Sequence, residues 1–231
     1  MKKILFYTLT LILSLAIYSC SDDDDSYSLN KYWVSPATVE VDGAGNVSFV
    51  TDNRERLFPS GGIKGSSRDQ FENGDRIWLN YTILSKSEGA YDYLVMVNRV
   101  DKILTKDIIE LNAHNADSIG NDPVRIIDWW FSKDHLSIRF VYGGGGKVHF
   151  INLVQDIDNP KNEEGIPVLE FRHNRNDDPY NYKMYGTVSF SLDYLVEQAD
   201  EEVDEVEFIL KARPFKDEEP FERKIKYLFD R

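Results

Sequence analysis

From residue 38 onward, apolar side chains recur at every second position in short runs, each closed by turn-forming residues. A period of two places alternate residues on opposite faces of an extended chain, so the pattern demands β-strands with one buried face. The clearest run is Arg76 to Leu84, where Ile77, Leu79, Tyr81 and Ile83 share a face behind the turn Asn73-Gly74-Asp75. Thr38–Val41 and Val47–Val50 flank Asp42-Gly43-Ala44-Gly45-Asn46, a hairpin with glycine available for positive φ. Tyr91–Val100 pairs back in the same style, and Pro59–Ser67 between these runs is a Gly- and Ser-rich loop. Five or so short strands in this first region predict a small barrel.

Thr105–Leu111 reads as a brief helical turn, and the polar stretch Asn112–Pro123, closed by a proline, marks a domain boundary. Beyond it the β pattern returns in Val124–Phe131, Leu136–Tyr142, Val148–Val154, Val168–Phe171, Thr187–Ser191, Val206–Ala212 and Arg223–Phe229. Seven strands at this spacing predict an antiparallel sandwich. Leu192, Leu195, Val196 and Ala199 fall near helical spacing and predict a short helix at 192–199, followed by an acidic loop. No internal repeat is visible.

The N-terminus has a different logic. Met1-Lys2-Lys3 precedes an apolar run from Ile4 to Tyr18, broken only by Thr8, Thr10 and Ser14. That run is short for a bilayer span, and the order of basic start, apolar stretch and small residue describes a secretory signal over residues 1–19. It ends in Ile17-Tyr18-Ser19-Cys20, which resembles a bacterial lipobox, with Tyr18 bulkier than the pattern prefers. Cys20 is the only cysteine, so lipidation there leaves no thiol, and the exported protein must be held by its core alone. Residues 20–30 then form an acidic, solvated tether.

Loss of Lys2 and Lys3 with the signal would take the net charge from −13 to −15. That balance argues against nucleic acid, which needs clustered Lys and Arg, and against docking on anionic head groups. Membrane contact then comes through the acyl chains on Cys20.

TVEV, GDRIWLNYTIL, YDYLVMVNRVDKILTKDI, DSIGNDPVRIIDWWFS and HLSIRFVYGGGGKVHFINLV together resemble the NigD-like lipoproteins of Bacteroidetes. The resemblance implies an all-β chain: an OB-like small barrel over residues 31–115, followed by a seven-stranded antiparallel β-sandwich over residues 116–231. The family is named for a bacteriocin-associated locus and carries no functional residues over to this chain. In the same bacteria, Cys20-Ser21-Asp22-Asp23-Asp24-Asp25 resembles the signal that sends lipoproteins to the outer face of the outer membrane. Asp117-Ser118-Ile119 resembles their three-residue O-glycosylation motif, which would place a glycan on Ser118; three ordinary turn residues are the alternative.

Other constellations carry little chemistry. Gly143–Lys147 lacks the frame of a phosphate loop, since Val141 and Val148 stand where Gly and Ser or Thr are required, so it reads as a hairpin. Asp156-Ile157-Asp158-Asn159-Pro160 begins like a calcium loop, but Pro160 takes the fifth position and the following glycine is missing. Asp117, Asn121 and Asp122 could also supply oxygens, as turn residues do. His114, His135, His149 and His173 lack zinc-ligand spacing, and Gly65-Ser66-Ser67-Arg68 is not a nucleophile elbow. No cofactor is expected.

Trp129 and Trp130 are adjacent on an expected strand and therefore face opposite ways. One can fill the sandwich core, and the other meets the barrel or serves as a ligand platform. Trp33 and Trp78 belong to the barrel core or its edge, and an exposed aromatic on such a barrel can stack on a sugar. The expected function is a non-enzymatic surface lipoprotein that binds an envelope protein or a glycan. The alternatives are a bacteriocin-associated accessory or immunity role, and a glycan-active hydrolase.

Overall fold

The computed structural model describes residues 29–63, 71–87, 89–199 and 202–229. The signal segment, Cys20, Ser21 to Asp25 and the Gly65-Ser66-Ser67-Arg68 loop lie outside the described residues.

Five strands close the barrel: β1 (Trp33–Val41), β2 (Val47–Thr51), β3 (Arg56–Pro59), β4 (Arg76–Lys86) and β5 (Tyr93–Lys102), in the order β1-β2-β3-β5-β4. The β1–β2 hairpin is set by Asp42, whose carboxylate accepts the Ala44 and Asn46 amides, while Gly45 takes φ 79°. A parallel pairing of β3 with β5 and an antiparallel one of β4 with β1 complete the closure. Two register shifts along β4–β5 give the sheet the coil that closure needs. The alternating set Ile77, Leu79, Tyr81 and Ile83 points inward with Val39, Phe49, Leu57 and Val95.

Among the described residues the sandwich holds nine strands. β7 (Ile109–Leu111), β10 (Phe150–Asp156), β11 (Val168–Asn174), β13 (Glu205–Ala212) and β14 (Phe221–Leu228) form one sheet, ordered β14-β13-β11-β10-β7. β6 (Leu104–Lys106), β12 (Tyr182–Ser191), β9 (His135–Gly144) and β8 (Arg125–Phe131) form the other, ordered β6-β12-β9-β8. Between them, Leu136, Ile138, Phe140, Val188 and Phe190 meet Ile151, Leu153, Leu169, Phe171, Phe208 and Leu210. Phe171 packs edge-on against both Phe140 and Phe190.

All seven sandwich strands expected from the sequence are present, and β6 and β7 are additional. They occupy the segment that reads as a helical turn, and each pairs with a strand of a different sheet, with Ile108 buried between. Three-residue strands are too short to show a period, so tertiary pairing decides their conformation. They pair in parallel with β12 and β10, as β11 does with β13, so the sandwich is mixed rather than wholly antiparallel. Sandwich strands thus begin at Leu104, ahead of the polar stretch expected to mark the boundary. Among the described residues two short helices remain, α1 (Ala116–Ile119) and α2 (Asp193–Gln198), the second burying Leu195 near its expected place. Among the described residues no helix is long and apolar enough to cross a membrane.

Gly186 lies in β12 under the Phe140 ring, where an added Cβ would come within 2.5 Å of Cζ. Gly186→Ala is expected to cost about 1–3 kcal/mol by overpacking. Urea unfolding should show a lower midpoint with an unchanged slope.

Candidate functional site

The outward face of β4 is polar at Asn80 but carries Arg76 and Trp78 at its N-terminal end. An apolar ring in an outward row is stable only if another layer covers it, and the sandwich supplies that layer. Arg76 is 1% exposed, and its two terminal nitrogens meet the two oxygens of Asp52 at 2.6 Å each. Asp52 sits just past β2, its amide bonded to the Pro36 carbonyl, so the carboxylate is presented by the barrel backbone. The guanidinium also donates to Thr38 within the barrel and to Ser137 on β9, which is bonded in turn to Ser189 on β12.

Trp130 comes from the opposite side. Its indole Nε1 donates to Asp52 Oδ2 at 2.6 Å, and its ring leans on Trp78 with centroids 6.3 Å apart and planes at 55°. Trp130 therefore lies in the seam between barrel and sandwich. Trp129 faces the other way and packs on the sandwich core, edge-on to Phe131. Trp33 stacks on Tyr81 at the start of β1.

Beside the buried ion pair the seam opens into a cavity of about 390 Å³, walled by Trp78, Trp130, Phe131, Asn53, Asp128 and Arg139. Arg139 holds its guanidinium 5.8 Å over the Trp130 ring and 3.8 Å from Asp128. The cleft thus offers indole surface, a half-exposed guanidinium, a carboxylate and an amide. That mixture suits a ligand with both apolar faces and hydroxyl groups. Both oxygens of Asp52 are engaged by Arg76 and Trp130, so this carboxylate is held in place by the seam.

Histidines that share no motif also meet. His149 Nδ1 lies 2.7 Å from His173 Nε2, and His149 Nε2 lies 3.1 Å from Asp178. The two ring nitrogens bond each other, which leaves no space for an ion between them. The turn at Gly143–Lys147 points its Gly145, Gly146 and Lys147 amides at Asp178, an internal carboxylate where the sequence had suggested comparison with phosphate. Those donors hold Asp178 well below the usual carboxylate range.

The remaining candidates are turn residues in geometry. Asp156 accepts from the Asp158 amide and from Asn159, and Asp122 accepts the Arg175 amide. Ser118 is exposed in α1, donates to the Asn115 carbonyl, and stands at the rim of a second, shallow cavity of about 470 Å³ beside Phe150. The seam pair and the histidine chain lie beyond any spacing motif. The linear signals for the seam are Trp78 in the outward row of β4 and the adjacent Trp129-Trp130 pair; the histidine chain has none.

Sequence profiles agree with this architecture: that of the NigD-like N-terminal OB domain matches residues 37–103, and that of the NigD-like C-terminal β-sandwich domain matches residues 107–227. Among solved structures, a candidate toxin-related protein from Parabacteroides distasonis is 31% identical, with 87% of this chain and 95% of that chain covered and a TM-score of 0.70. A protein of unknown function from Bacteroides vulgatus is 30% identical, covering 87% and 92%, with a TM-score of 0.69. A NigD-like immunity protein from Bacteroides caccae is 21% identical, covering 88% and 100%, with a TM-score of 0.63, and shares the fold. No curated protein matches the sequence.

Arg76→Met would leave the Asp52 carboxylate buried opposite an apolar chain. It is expected to cost about 3–5 kcal/mol, and adding Asp52→Asn should recover part of that loss, since the stranded charge is the main penalty. A double-mutant cycle by urea unfolding, followed through tryptophan fluorescence, checks both numbers.

Proposed function

This chain belongs to the NigD-like family, and on that premise we propose that it is a lipid-anchored binding module displayed on the outer membrane, with the inter-domain cleft as its glycan-binding site. Acyl chains on Cys20 anchor it, Ser21 to Asp25 direct it outward, and the acidic stretch to Asn30 holds it off the lipid surface. The observation that carries the reading is the cleft, where the indoles of Trp78 and Trp130 stand beside the partly exposed Arg139 and Asn53. Indole faces stack on the C–H faces of sugars, while Arg, Asp and Asn meet their hydroxyls. A neutral glycan also suits a strongly acidic chain better than an anionic ligand does. The reading is non-enzymatic because Asp52, the carboxylate best placed to pair with Asp128, is already bonded to Arg76 and Trp130. Ser118, exposed on α1, carries an O-glycan in this proposal, and the intact mass of protein from native cells would exceed peptide plus lipid.

A second reading draws on the Parabacteroides distasonis relative, which is described as toxin-related. In that case the partner is a protein toxin, and deleting the gene sensitises cells without altering glycan binding.

The cleft is tested with polysaccharide purified from the surface of the producing bacterium, followed by tryptophan fluorescence. Arg139→Ala, at a half-exposed side chain, is expected to weaken binding at least tenfold while leaving unfolding nearly unchanged. Unaltered fluorescence at saturating polysaccharide would move the reading to the toxin partner. For display, protease added to whole cells should degrade the wild type, and Cys20→Ala should be lost from the membrane fraction.

A further inference from the structure

His149, just before β10, and His173, on β11, are drawn into one hydrogen-bonded chain whose two ends are both acceptors. At one end His173 Nδ1 meets the Pro123 carbonyl at 3.1 Å. In the middle His173 Nε2 meets His149 Nδ1 at 2.7 Å, and at the other end His149 Nε2 meets Asp178 at 3.1 Å. A carbonyl only accepts, so His173 carries its proton on Nδ1 and offers a lone pair at Nε2. His149 must then donate from Nδ1 to His173 and from Nε2 to the carboxylate. Three hydrogen bonds require three ring protons, and two neutral imidazoles hold two. Asp178 does not supply the third, because the Gly145, Gly146 and Lys147 amides all point at its Oδ2 and favour the ionised form.

We propose that His149 and His173 form a buried proton-binding site that holds one proton between them through neutral pH, carried by His149, and that this proton latches the Gly143–Lys147 turn to the segment 176–182. The surroundings admit one proton and refuse a second. The Tyr142 ring from β9 packs on both imidazoles, at 4.8 Å from His149 and 5.4 Å from His173. Asp122 and Arg175 flank His173 and pair with each other at 3.5 Å. Lys147 turns its ammonium away onto the Asn176 and Asp177 carbonyls. The Asp178 carboxylate beside His149 attracts a cation more strongly than the Pro123 carbonyl beside His173 does, so His173 is the neutral partner, and burial lowers its proton affinity in the same sense.

The latch explains why the turn is glycine. A Cβ on Gly143 would lie 1.6 Å from the Tyr180 ring, and one on Gly144 would stand 3.3 Å from the His149 ring. The backbone itself is the packing surface, held from one side by Tyr180 and from below by Asp178. Losing the shared proton would set a lone pair against the Asp178 carboxylate and free this corner. Tyr182 and Tyr185, exposed on the adjoining half of β12, begin where the latched segment ends. The order of that aromatic surface therefore follows pH.

The sign follows from counting protons. The folded pair holds one, while the unfolded pair holds two well below pH ~6.5 and none well above it. The pair's contribution to stability peaks near pH ~6.5 and falls on both sides, by about tenfold in the unfolding constant per pH unit. Long-range ¹H–¹⁵N spectra of the full chain at pH 8 should show one doubly protonated ring and one neutral Nδ1–H ring among its histidines. Finding both His149 and His173 neutral in the folded protein at pH 8 overturns the proposal. In urea unfolding, the wild-type constant should rise about tenfold per pH unit above pH ~7, and Asp178→Asn should abolish that slope. Equal slopes in the two proteins would also overturn it. Should Asp178→Asn not fold, the wild-type spectra decide alone.

Discussion

The arrangement of the whole molecule turns on one buried ion pair. Barrel and sandwich each have a core of their own, and nothing in either core requires the other. Arg76 and Asp52 both belong to the barrel, yet their charges are covered only when β8 and β9 lie against them; Trp130 and Ser137 then add hydrogen bonds from the sandwich, while Arg76 Nε stays buried without a partner among the described residues. Desolvating two charges costs free energy that the pair only roughly recovers, so its value lies less in stability than in specificity. A shift of the sandwich along the seam would leave a bidentate pair without the two contacts that Ser137 and Trp130 supply. One docking geometry satisfies all of them, and the cleft inherits that geometry.

The chain also manages its sheet edges with economy. β14 closes one edge of the larger sheet with charge, pairing Lys224 with Glu207 and Lys226 with Glu205 across to β13. β8 carries a bulge between Ile126 and Asp128, and short β6 and β7 each cover part of another edge. Charged residues, bulges and short strands are the usual ways to discourage edge-to-edge pairing. Because β6 and β7 are consecutive but join different sheets, the chain leaving the barrel at Lys102 ties both sandwich layers to it at once. That strap and the ion pair act at the same junction.

Legibility followed the length of the period. Arg76–Leu84 alternates long enough to announce β4, and β1, β2, β5 and the seven long sandwich strands are visible in the same way, whereas the four-residue β3, which ends at the Pro59 read as loop, is not. Leu104–Lys106 and Ile109–Leu111 are not, because three residues contain no period and their partners lie far along the chain. The seam pair was invisible for a related reason: Asp52 and Arg76 are ordinary charged residues until tertiary structure buries them. The histidines lack ligand spacing, a criterion that tests for a metal but not for a shared proton. Cys20 and the aspartates behind it are a different case: their resemblance to a signal is purely local, and they lie outside the described residues.

Strand β9 joins the two regions of interest. Ser137 and Arg139 at its first half face the seam, and Tyr142 to Gly144 at its second half meet the histidine pair and Tyr180. Its pairing with β12 runs unbroken from His135 to Gly144, so the two ends share one rigid ladder. Rigidity at the seam end suits a binding site whose aromatic and guanidinium groups must be held before the ligand arrives. The far end is different: its turn is held by a carboxylate, two imidazoles and a proton, all of which respond to the medium. On the proposed reading, a protein built this way keeps its recognition geometry constant while one remote corner responds to the acidity around it.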